Sequence, residues 1–405
     1  MLNGPFSPWP SFTQEEAQAV QDVLLSNKVN YWTGKECVEF EKEFAQFAET
    51  EHAIALANGT NALDLALKGL GIGEKDNEEV IVTSRTFVAS ASCIANAGAI
   101  AVFADVDRDS QNITASTVAE KITPRTRAII AVHLAGWPCE MDGLMALAEQ
   151  HGLYVIEDCA QAHGARYRGR SVGGIGHVGC WSFCQDKIMT TGGEGGMVTT
   201  NDSALWKKMW AYKDHGKSWD AVYVHEHPPG FRWLHDTFGT NWRMTEMQAV
   251  IGRIQLKRMP EWSVIRQTYA QRIWQAAADC PGLRVPSLTS ETASSSVSKN
   301  SQHGAYKCYV FIEPHQLAAG WDRDRILKEI NQRGVPCFSG SCSEVYREKA
   351  FVRAGWQPQG SLPVAQELGQ TSLMFLCHPT LTQQEIDKTC QVLQEIMKKC
   401  TNTAF

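Results

Sequence analysis

The first part of the chain alternates between short, continuously apolar runs and longer segments in which apolar residues recur every three or four positions. The continuous runs predict buried strands, which lie at 53–57, 79–83, 100–105, 127–133 and 153–157. The periodic segments predict helices, such as those at 87–97 and 142–151. Strands that are apolar on both faces and alternate with helices are typical of a doubly wound α/β unit. Such sheets bind ligands at the carboxyl ends of their strands.

Two further helices precede this unit. Thr13 followed by Glu16 forms the pattern of a capping box and predicts a helix that runs to Leu25. In the second helix, phenylalanines at i, i+4 and i+7 (40, 44 and 47) predict one buried stripe. We interpret this stripe as core packing rather than as a ligand-binding aromatic cluster.

The pattern changes after a long helix that is predicted over 244–259. A polar, serine-rich stretch at 287–304 has no apolar period and predicts a surface loop. Beyond it, a strand at 307–313 and helices at 323–332 and 382–399 predict a smaller α+β unit. A chain of 405 residues exceeds the usual size of a single core. We therefore predict a large domain over residues 1–259 and a small C-terminal domain over residues 260–405.

Composition and charge narrow the choice of partners. The chain is 43% hydrophobic and 20% charged, which is ordinary for a globular protein in water. It carries 38 basic and 44 acidic residues, a net charge of −6. Because this balance offers no general attraction for polyanions, we expect a small-molecule substrate and neither nucleic acid nor a membrane as partner.

One uncharged stretch, 86–104, has the length of a membrane span. It contains the polar residues Ser90, Ser92 and Asn96, and Gly98 divides it, so we predict a buried helix followed by a strand. The N-terminal residues lack the basic region and the apolar run of a secretory signal. We accordingly predict a cytoplasmic protein.

The 13 cysteines are scattered along the chain and include no C-x-x-C pair. Because zinc sites use paired ligands at short spacing, we predict no metal site and interpret the cysteines as reduced thiols that pack mainly in the core.

Two motifs with known chemical associations are better explained by other structures. The letters GIGHVG at 174–179 match a dinucleotide-binding pattern, but they follow a polar segment and lead into a predicted strand instead of a helix. His225 and His227 form an H-x-H pair, yet two prolines follow at once, which indicates a solvated loop. Neither motif therefore predicts nicotinamide or metal binding.

A stronger signal is a set of polar residues where strands end. Asn58, Gly59 and Thr60 stand where the strand at 53–57 gives way to a helix, so free backbone amides could bind a phosphate there, although an ordinary helix cap has the same pattern. Asp158 directly follows another strand, and Lys187 lies 29 residues later in a glycine-rich segment. An amine, a carboxylate and a phosphate site together are what pyridoxal 5'-phosphate (PLP) requires.

Several segments resemble, in order along the chain, the DegT/DnrJ/EryC1/StrS family of sugar aminotransferases. They include ANGTNALDLAL, VIEDCAQAHGA, SFCQDKIMTTGGEGGMVTTND and FGTNWRMTEMQAVIGRIQL. The resemblance implies an aspartate-aminotransferase-like α/β fold (fold type I), with a large mostly parallel sheet domain and a smaller α+β domain. It also implies PLP as cofactor and transfer of an amino group from L-glutamate to the carbonyl of an oxidised sugar.

The resemblance assigns roles around the cofactor ring. Lys187 corresponds to the lysine that binds the cofactor covalently, and Asp158 to the carboxylate that pairs with its pyridinium nitrogen. Gln161 would lie near the phenolic oxygen, and Phe87 would stack on the ring. His163 belongs to the same motif as Asp158 but has no assigned chemistry.

The resemblance also implies how the phosphate is held. Gly59, Thr60 and Ser182 would bind it within one subunit. Asn241, in the segment FGTN, would reach the phosphate of the neighbouring subunit. A homodimer with shared active sites is therefore part of what the resemblance implies.

The acceptor stays open between alternatives. Family members commonly carry a His-Tyr-Pro-x-Pro-x-His-like segment, whereas this chain has VPCFSGSCSEVYREKAF at 335–351. Asp186 and the insertion at 227–233 are also unusual. In these departures the chain resembles the transaminases that make 8-amino-3,8-dideoxy-manno-octulosonate for lipopolysaccharide. The alternatives are a UDP-, dTDP- or GDP-linked keto-sugar and a non-catalytic PLP-binding sensor, which the presence of both Lys187 and Asp158 disfavours.

An acidic sugar without a nucleotide needs cationic contacts in the protein. The sequence offers Arg85, Arg232 and Arg243 as candidates.

Overall fold

The computed structural model describes residues 5–286 and 300–401. Its strands are β1 (His52–Leu56), β2 (Glu79–Thr83), β3 (Ile100–Ala104), β4 (Thr126–Val132), β5 (Tyr154–Asp158), β6 (Arg166–Tyr167), β7 (Arg170–Ser171), β8 (Val178–Ser182), β9 (Gly196–Thr200), β10 (Leu283–Arg284), β11 (Cys308–Ile312), β12 (Cys337–Phe338) and β13 (Ser372–Phe375). Its α-helices are α1 (Gln14–Leu25), α2 (Glu36–Phe47), α3 (Gly59–Gly69), α4 (Ala89–Ala97), α5 (Ala115–Ala119), α6 (Met141–His151), α7 (Ser203–Lys213), α8 (Trp219–Tyr223), α9 (Glu246–Ala278), α10 (Arg323–Gln332), α11 (Lys349–Ala354), α12 (Pro363–Thr371) and α13 (Gln383–Cys400).

A seven-stranded sheet lies at the centre of the large unit, in the order β1-β9-β8-β5-β4-β2-β3. Strand β9 runs antiparallel to both of its neighbours, whereas the other adjacent pairs are parallel. The strands β2 and β8 are buried along their whole length, because helices cover the sheet. The prediction of a mostly parallel, doubly wound sheet is confirmed.

The N-terminal helices form as their sequences predict. Helix α1 begins after Thr13, and Glu16 completes the capping box. In α2, Phe40 and Phe44 are fully buried and Phe47 is partly buried against them. Their rings contact one another and Phe183 next to the end of β8, so the stripe belongs to the core as predicted.

Helix α4 begins later than the predicted position at 87. It starts at Ala89, and Phe87 lies in the turn between β2 and the helix. There the Phe87 side chain is 65% exposed. The local pattern did not distinguish this exposed aromatic from a buried first turn.

The prediction that the long helix ends at 259 is wrong. Helix α9 continues from Glu246 to Ala278 with Pro260 inside it. Proline removes one backbone hydrogen bond, but buried residues on both sides of it keep the helix packed, including Met259 before it and Ala270 after it. The predicted domain boundary at residue 259 therefore falls within a single helix.

The second sheet has the order β10-β11-β13-β12 and is antiparallel throughout. Helix α10 contacts β12 and β13, and helices α10 and α13 also pack together. Of the predicted serine-rich loop, residues 287–299 lie outside the described residues. Gln302 pairs with Arg166 of the β6–β7 hairpin.

Backbone amides in and next to the glycine-rich segment 174–179 donate hydrogen bonds to a buried carboxylate. Glu157, fully buried in β5, accepts hydrogen bonds from the amides of Gly173 (2.8 Å), Ile175 (2.8 Å) and Gly176 (2.6 Å). Although burial raises the pKa of Glu157, these bonds and His133 lower it below its usual value. The segment then enters strand β8, as the sequence predicted.

Candidate active site

The polar residues singled out in the sequence meet at one edge of the large sheet. The carboxyl ends of the parallel strands β1, β5 and β8 lie on this edge, and they lead into Asn58, Asp158 and Ser182. The antiparallel strand β9 begins on the same edge at Gly196. This glycine packs against the backbone of Asn58. The topology thus gathers side chains that are far apart in sequence.

Gly59 and Ser182 are in close contact at the start of α3. Asn58 caps this helix, because its Oδ1 accepts a hydrogen bond from the Asn61 amide at 2.9 Å. A Cβ atom added to Gly59 would lie 2.5 Å from Cβ and 2.9 Å from Oγ of Ser182, so glycine is required for this close approach. The close approach places the Ser182 hydroxyl next to the first amides of α3, including that of Thr60, and these groups together can bind a phosphate.

Asp158 is buried, and two donors hold its carboxylate. The Ser90 hydroxyl donates to Oδ2 at 2.7 Å, and the Ala160 amide donates to Oδ1 at 3.1 Å. The hydroxyls of Ser90 and Thr86 are 2.8 Å apart. In the sequence these two hydroxyls are visible only as polar residues of the uncharged stretch at 86–104, and no motif indicates their role.

Lys187 lies in the loop after β8 with its side chain 16% exposed. Its Nζ is 3.8 Å from Oδ1 of Asp186 and 5.2 Å from the centre of the Tyr306 ring. The Tyr306 hydroxyl donates to the other oxygen of Asp186. The indole nitrogen of Trp9 donates to the Lys187 carbonyl at 2.8 Å, so a residue near the N-terminus helps to fix this loop. Sequence analysis did not identify Trp9 or Tyr306, which carry no local motif.

Gln161 and Phe87 follow the carboxyl ends of β5 and β2, at the same edge of the sheet. The side-chain oxygen of Gln161 accepts a hydrogen bond from the Ala135 amide at 2.7 Å, which leaves its amide nitrogen available as a donor. The turn that carries the exposed Phe87 pairs with the unusual segment at 335–351, because the Thr86 amide donates to the Cys342 carbonyl at 3.0 Å. The segment that departs from the family pattern thus lies against the turn that carries the predicted ring-stacking residue.

His163 is fully buried among aromatic rings, and neither of its ring nitrogens has a hydrogen-bond partner within the described ranges. The rings of Trp181 and Phe183 lie 5.3 and 5.6 Å away between centres. Burial, assisted by the charges of Lys187 and Arg266, lowers the pKa of His163 to about 3. It is therefore a neutral side chain at physiological pH.

Asn241 is exposed, whereas Asp158 and Ser182 are buried. It forms a backbone bridge with Asp214, while the following residue, Trp242, accepts a hydrogen bond from the Ala57 amide at 3.0 Å. The preceding segment carries aromatic side chains that are almost fully exposed. They are Phe231 (81%), Trp233 (84%) and Phe238 (99%).

The three arginines that the sequence offered for an acidic sugar have different surroundings. Arg85 is fully buried and donates to Gln111, Ser343 and Ser372 at 3.0, 2.6 and 2.8 Å. Arg243 pairs with Asp214 at 2.6 Å, and Arg232 is exposed. The expectation for Arg85 and Arg243 is therefore not supported, because their guanidinium groups already serve other partners.

The H-x-H pair and a buried group around His133 do not support a metal site. His225 is exposed in a loop, as predicted, and His227 contacts the Ala221 carbonyl. Inside the sheet, ligating atoms of His133, Glu157 and Cys159 lie within 4.8 Å of one another. However, both ring nitrogens of His133 are already hydrogen-bonded, one to the Cys139 amide and one to Glu157.

The arrangement matches the parts of PLP one by one. The first amides of α3 and the Ser182 hydroxyl can bind a phosphate, a ring nitrogen can pair with the buried Asp158, and the aldehyde carbon needs an amine such as Lys187. Phe87 presents an exposed ring at the same edge, as a stacked pyridine requires. The residues present therefore fit this cofactor.

A search of the described helices for a membrane span gave none that is both long and apolar enough.

Comparison with known proteins gives a consistent result. The profile described as the DegT/DnrJ/EryC1/StrS aminotransferase family matches residues 10–394. The chain is 33% identical over 387 residues to dTDP-3-amino-3,4,6-trideoxy-alpha-D-glucose transaminase of Streptomyces venezuelae, covering 94% of this chain and 93% of that protein. It is 35% identical over 385 residues to GDP-perosamine synthase of Caulobacter vibrioides, covering 93% and 95%.

Among solved structures, the X-ray structure of the aminotransferase from Psychrobacter cryohalolentis matches with a TM-score of 0.94 and 61% identity. The match covers 98% of this chain and 99% of that one. The fold and the resemblance predicted from the sequence are both confirmed.

Proposed function

The chain belongs to the DegT/DnrJ/EryC1/StrS aminotransferase family and is a PLP-dependent transaminase, and from this premise we propose that it transfers the amino group of L-glutamate to the carbonyl carbon of an oxidised sugar. The observation that carries this proposal is the meeting of Lys187, Asp158 and the Gly59–Ser182 contact at one sheet edge. In the first half-reaction L-glutamate leaves as 2-oxoglutarate. In the second, the sugar carbonyl becomes an amine.

When bound, PLP supplies an electron sink that makes the Cα–H of the amino donor acidic. We propose that Asp158 keeps the pyridine nitrogen protonated, and that Ser90 and Ala160 fix its carboxylate for this task. Lys187 Nζ binds the cofactor and, when free, takes up and returns the proton of the donor's Cα. Gly59, Thr60 and Ser182 hold the phosphate, Phe87 covers the ring, and Gln161 donates to the phenolic oxygen.

Two acceptors have separate support. An 8-oxo-3-deoxy-manno-octulosonate, which gives an 8-amino sugar for lipopolysaccharide or another surface polysaccharide, is supported by the departure from the family pattern at 335–351, next to the turn that carries Phe87. A nucleotide-linked keto-sugar is supported by relatives named for dTDP- and GDP-sugars. The two differ chemically, because the octulosonate carries a carboxylate and no nucleotide.

We further propose that the active enzyme is a cytoplasmic homodimer in which Asn241 contacts the phosphate bound by the neighbouring subunit. The exposed side chains of Phe231, Trp233 and Phe238 support this assignment, since an apolar patch of this kind beside a functional residue is typical of an interface.

The proposal is tested by colour and by product. The purified holoenzyme should be yellow and should lose this colour when L-glutamate is added. The bleached enzyme should then aminate one member of a panel of oxidised octulosonates and nucleotide keto-sugars, identified by mass spectrometry. Lys187→Ala should retain the cofactor without turnover. Colour that persists with every amino donor would contradict a transaminase and favour a cofactor-binding sensor.

A further inference from the structure

Lys307 is a second amine close to Lys187. It precedes strand β11, and its Nζ lies 4.8 Å from the centre of the Tyr306 ring, which also has Lys187 Nζ at 5.2 Å. Lys307 is partly buried, yet its ammonium forms no hydrogen bond or ion pair with any residue that the structure describes. Burial lowers the pKa of Lys307, and the charges of Arg266 and Lys187 add to this effect, whereas the charge of Asp186 opposes it. An anionic ligand would supply the hydrogen-bond acceptor that this ammonium lacks among the described residues.

The negative charge nearby is too small to balance the lysines. Although burial raises the pKa of Asp186, the Lys187 charge, the Tyr306 hydroxyl and the Lys307 charge lower it below its usual value. Asp186 is therefore ionised, and it is already engaged by Tyr306 and by Lys187 at 3.8 Å.

Arg266 adds a third positive charge behind the two amines. It is only 1% exposed, and its guanidinium carbon lies 4.9 Å from the centre of the Trp9 ring, which itself donates to the Lys187 carbonyl. Burial lowers the pKa of Arg266 to about 10, so the group stays charged at neutral pH. No carboxylate pairs with it in the described part of the chain. Arg266 therefore adds to the positive potential at Lys307, where Asp186 is the opposing carboxylate.

We propose that Lys307 binds a carboxylate group of a substrate, and that the buried charge of Arg266 strengthens this site. The inference rests on the proposed function, because the carboxylate is that of a transaminase substrate held near Lys187. It can belong to the five-carbon dicarboxylate donor or to a sugar acid. Both place the same chemistry, a carboxylate, against the same ammonium.

Binding to the holoenzyme tests the site without turnover. Isothermal titration calorimetry with glutarate reports the donor carboxylates, and titration with 3-deoxy-manno-octulosonate reports the sugar acid. Lys307→Met should weaken one or both by about tenfold or more, as expected for the loss of one charge-assisted hydrogen bond. Lys307→Arg should stay within about threefold of wild type because it keeps the charge. Lys328→Met, on the exposed side of α10, is the matched control and should bind both ligands normally.

The ligand that weakens identifies the source of the carboxylate. Loss for glutarate alone assigns Lys307 to the donor, loss for the octulosonate alone assigns it to the acceptor, and loss for both indicates a shared site. Unchanged affinity for both ligands in Lys307→Met, or no binding of either ligand by wild type, overturns the inference. Failure of the proposed function would look different, because the wild-type colour would then persist with L-glutamate whatever the result of the titrations.

Discussion

Replacing Ser90 with alanine removes one hydrogen bond to Asp158 at a position that sequence motifs did not identify. The Ser90 hydroxyl lies 2.7 Å from Oδ2 of Asp158, and both residues are buried. Because water does not readily replace a buried donor, the lost bond should not be compensated. We expect Ser90→Ala to weaken the hold of the protein on the carboxylate that faces the pyridine nitrogen in the proposed site.

The size of the effect follows from the number of donors. A hydrogen bond to a charged group contributes about 1.5–3 kcal/mol, and about 1.4 kcal/mol corresponds to a factor of ten. The Ala160 amide, 3.1 Å from Oδ1, remains in the variant, so the carboxylate keeps one of its two protein donors. We therefore expect the rate constant of the glutamate half-reaction to fall about tenfold to a hundredfold.

Stopped-flow absorbance of the bound cofactor after addition of L-glutamate measures this rate constant. Ser92→Ala is the matched control, because Ser92 lies on the same helix and is only partly buried. Ser90→Thr restores a hydroxyl and should recover part of the rate. A Ser90→Ala rate within about threefold of wild type, with Ser92→Ala equally unaffected, would refute the importance of this bond.

Three further predictions address the phosphate site at Gly59, the proposed subunit interface and the buried histidine. Gly59→Ala should abolish retention of PLP after gel filtration, since its Cβ would lie 2.5 Å from Cβ of Ser182, and a variant that stays stoichiometrically yellow contradicts the proposed phosphate site. Mixing Lys187→Ala with Asn241→Ala should restore about a quarter of wild-type activity, because half of the randomly formed dimers then contain one intact site; no recovery contradicts shared sites. The pKa of His163, lowered to about 3 from 6.5, leaves it neutral when folded and protonated when unfolded between those values, so stability falls as pH drops below about 6.5. In chemical unfolding, His163→Phe should reduce the dependence of the unfolding free energy on pH in this window by about 1.4 kcal/mol per pH unit, and an unchanged slope contradicts a neutral His163.

The parts of the site that the sequence predicted are those that depend on local order. Gly59 follows a buried strand and Asp158 ends another, and a parallel sheet brings such positions to one edge whatever the loops between them do. The capping box of α1 and the phenylalanine stripe of α2 likewise depend on residues a few positions apart.

What the sequence did not predict depends on partners that are distant along the chain. Arg85 looked available for a substrate, but two of its three hydrogen-bond partners, Ser343 and Ser372, lie 258 and 287 residues away and occupy its guanidinium group. The sequence did not indicate a role for Lys307. Its proposed role follows from the excess of positive charge around it in the fold and not from a motif. Helix α9 continues beyond Pro260, because tertiary packing outweighs the tendency of proline to end a helix.

The uninterrupted helix α9 also determines how the protein comes apart. At 33 residues it is about 50 Å long, and it packs against α1 and α2 near one end and against α13 and β11 farther along. Gln255 on this helix accepts a hydrogen bond from the Thr190 amide at 2.8 Å, in the loop that carries Lys187. Melting of either unit would therefore strip packing from a helix that the other unit needs. The two sheets should melt in one calorimetric transition and not in two separate ones.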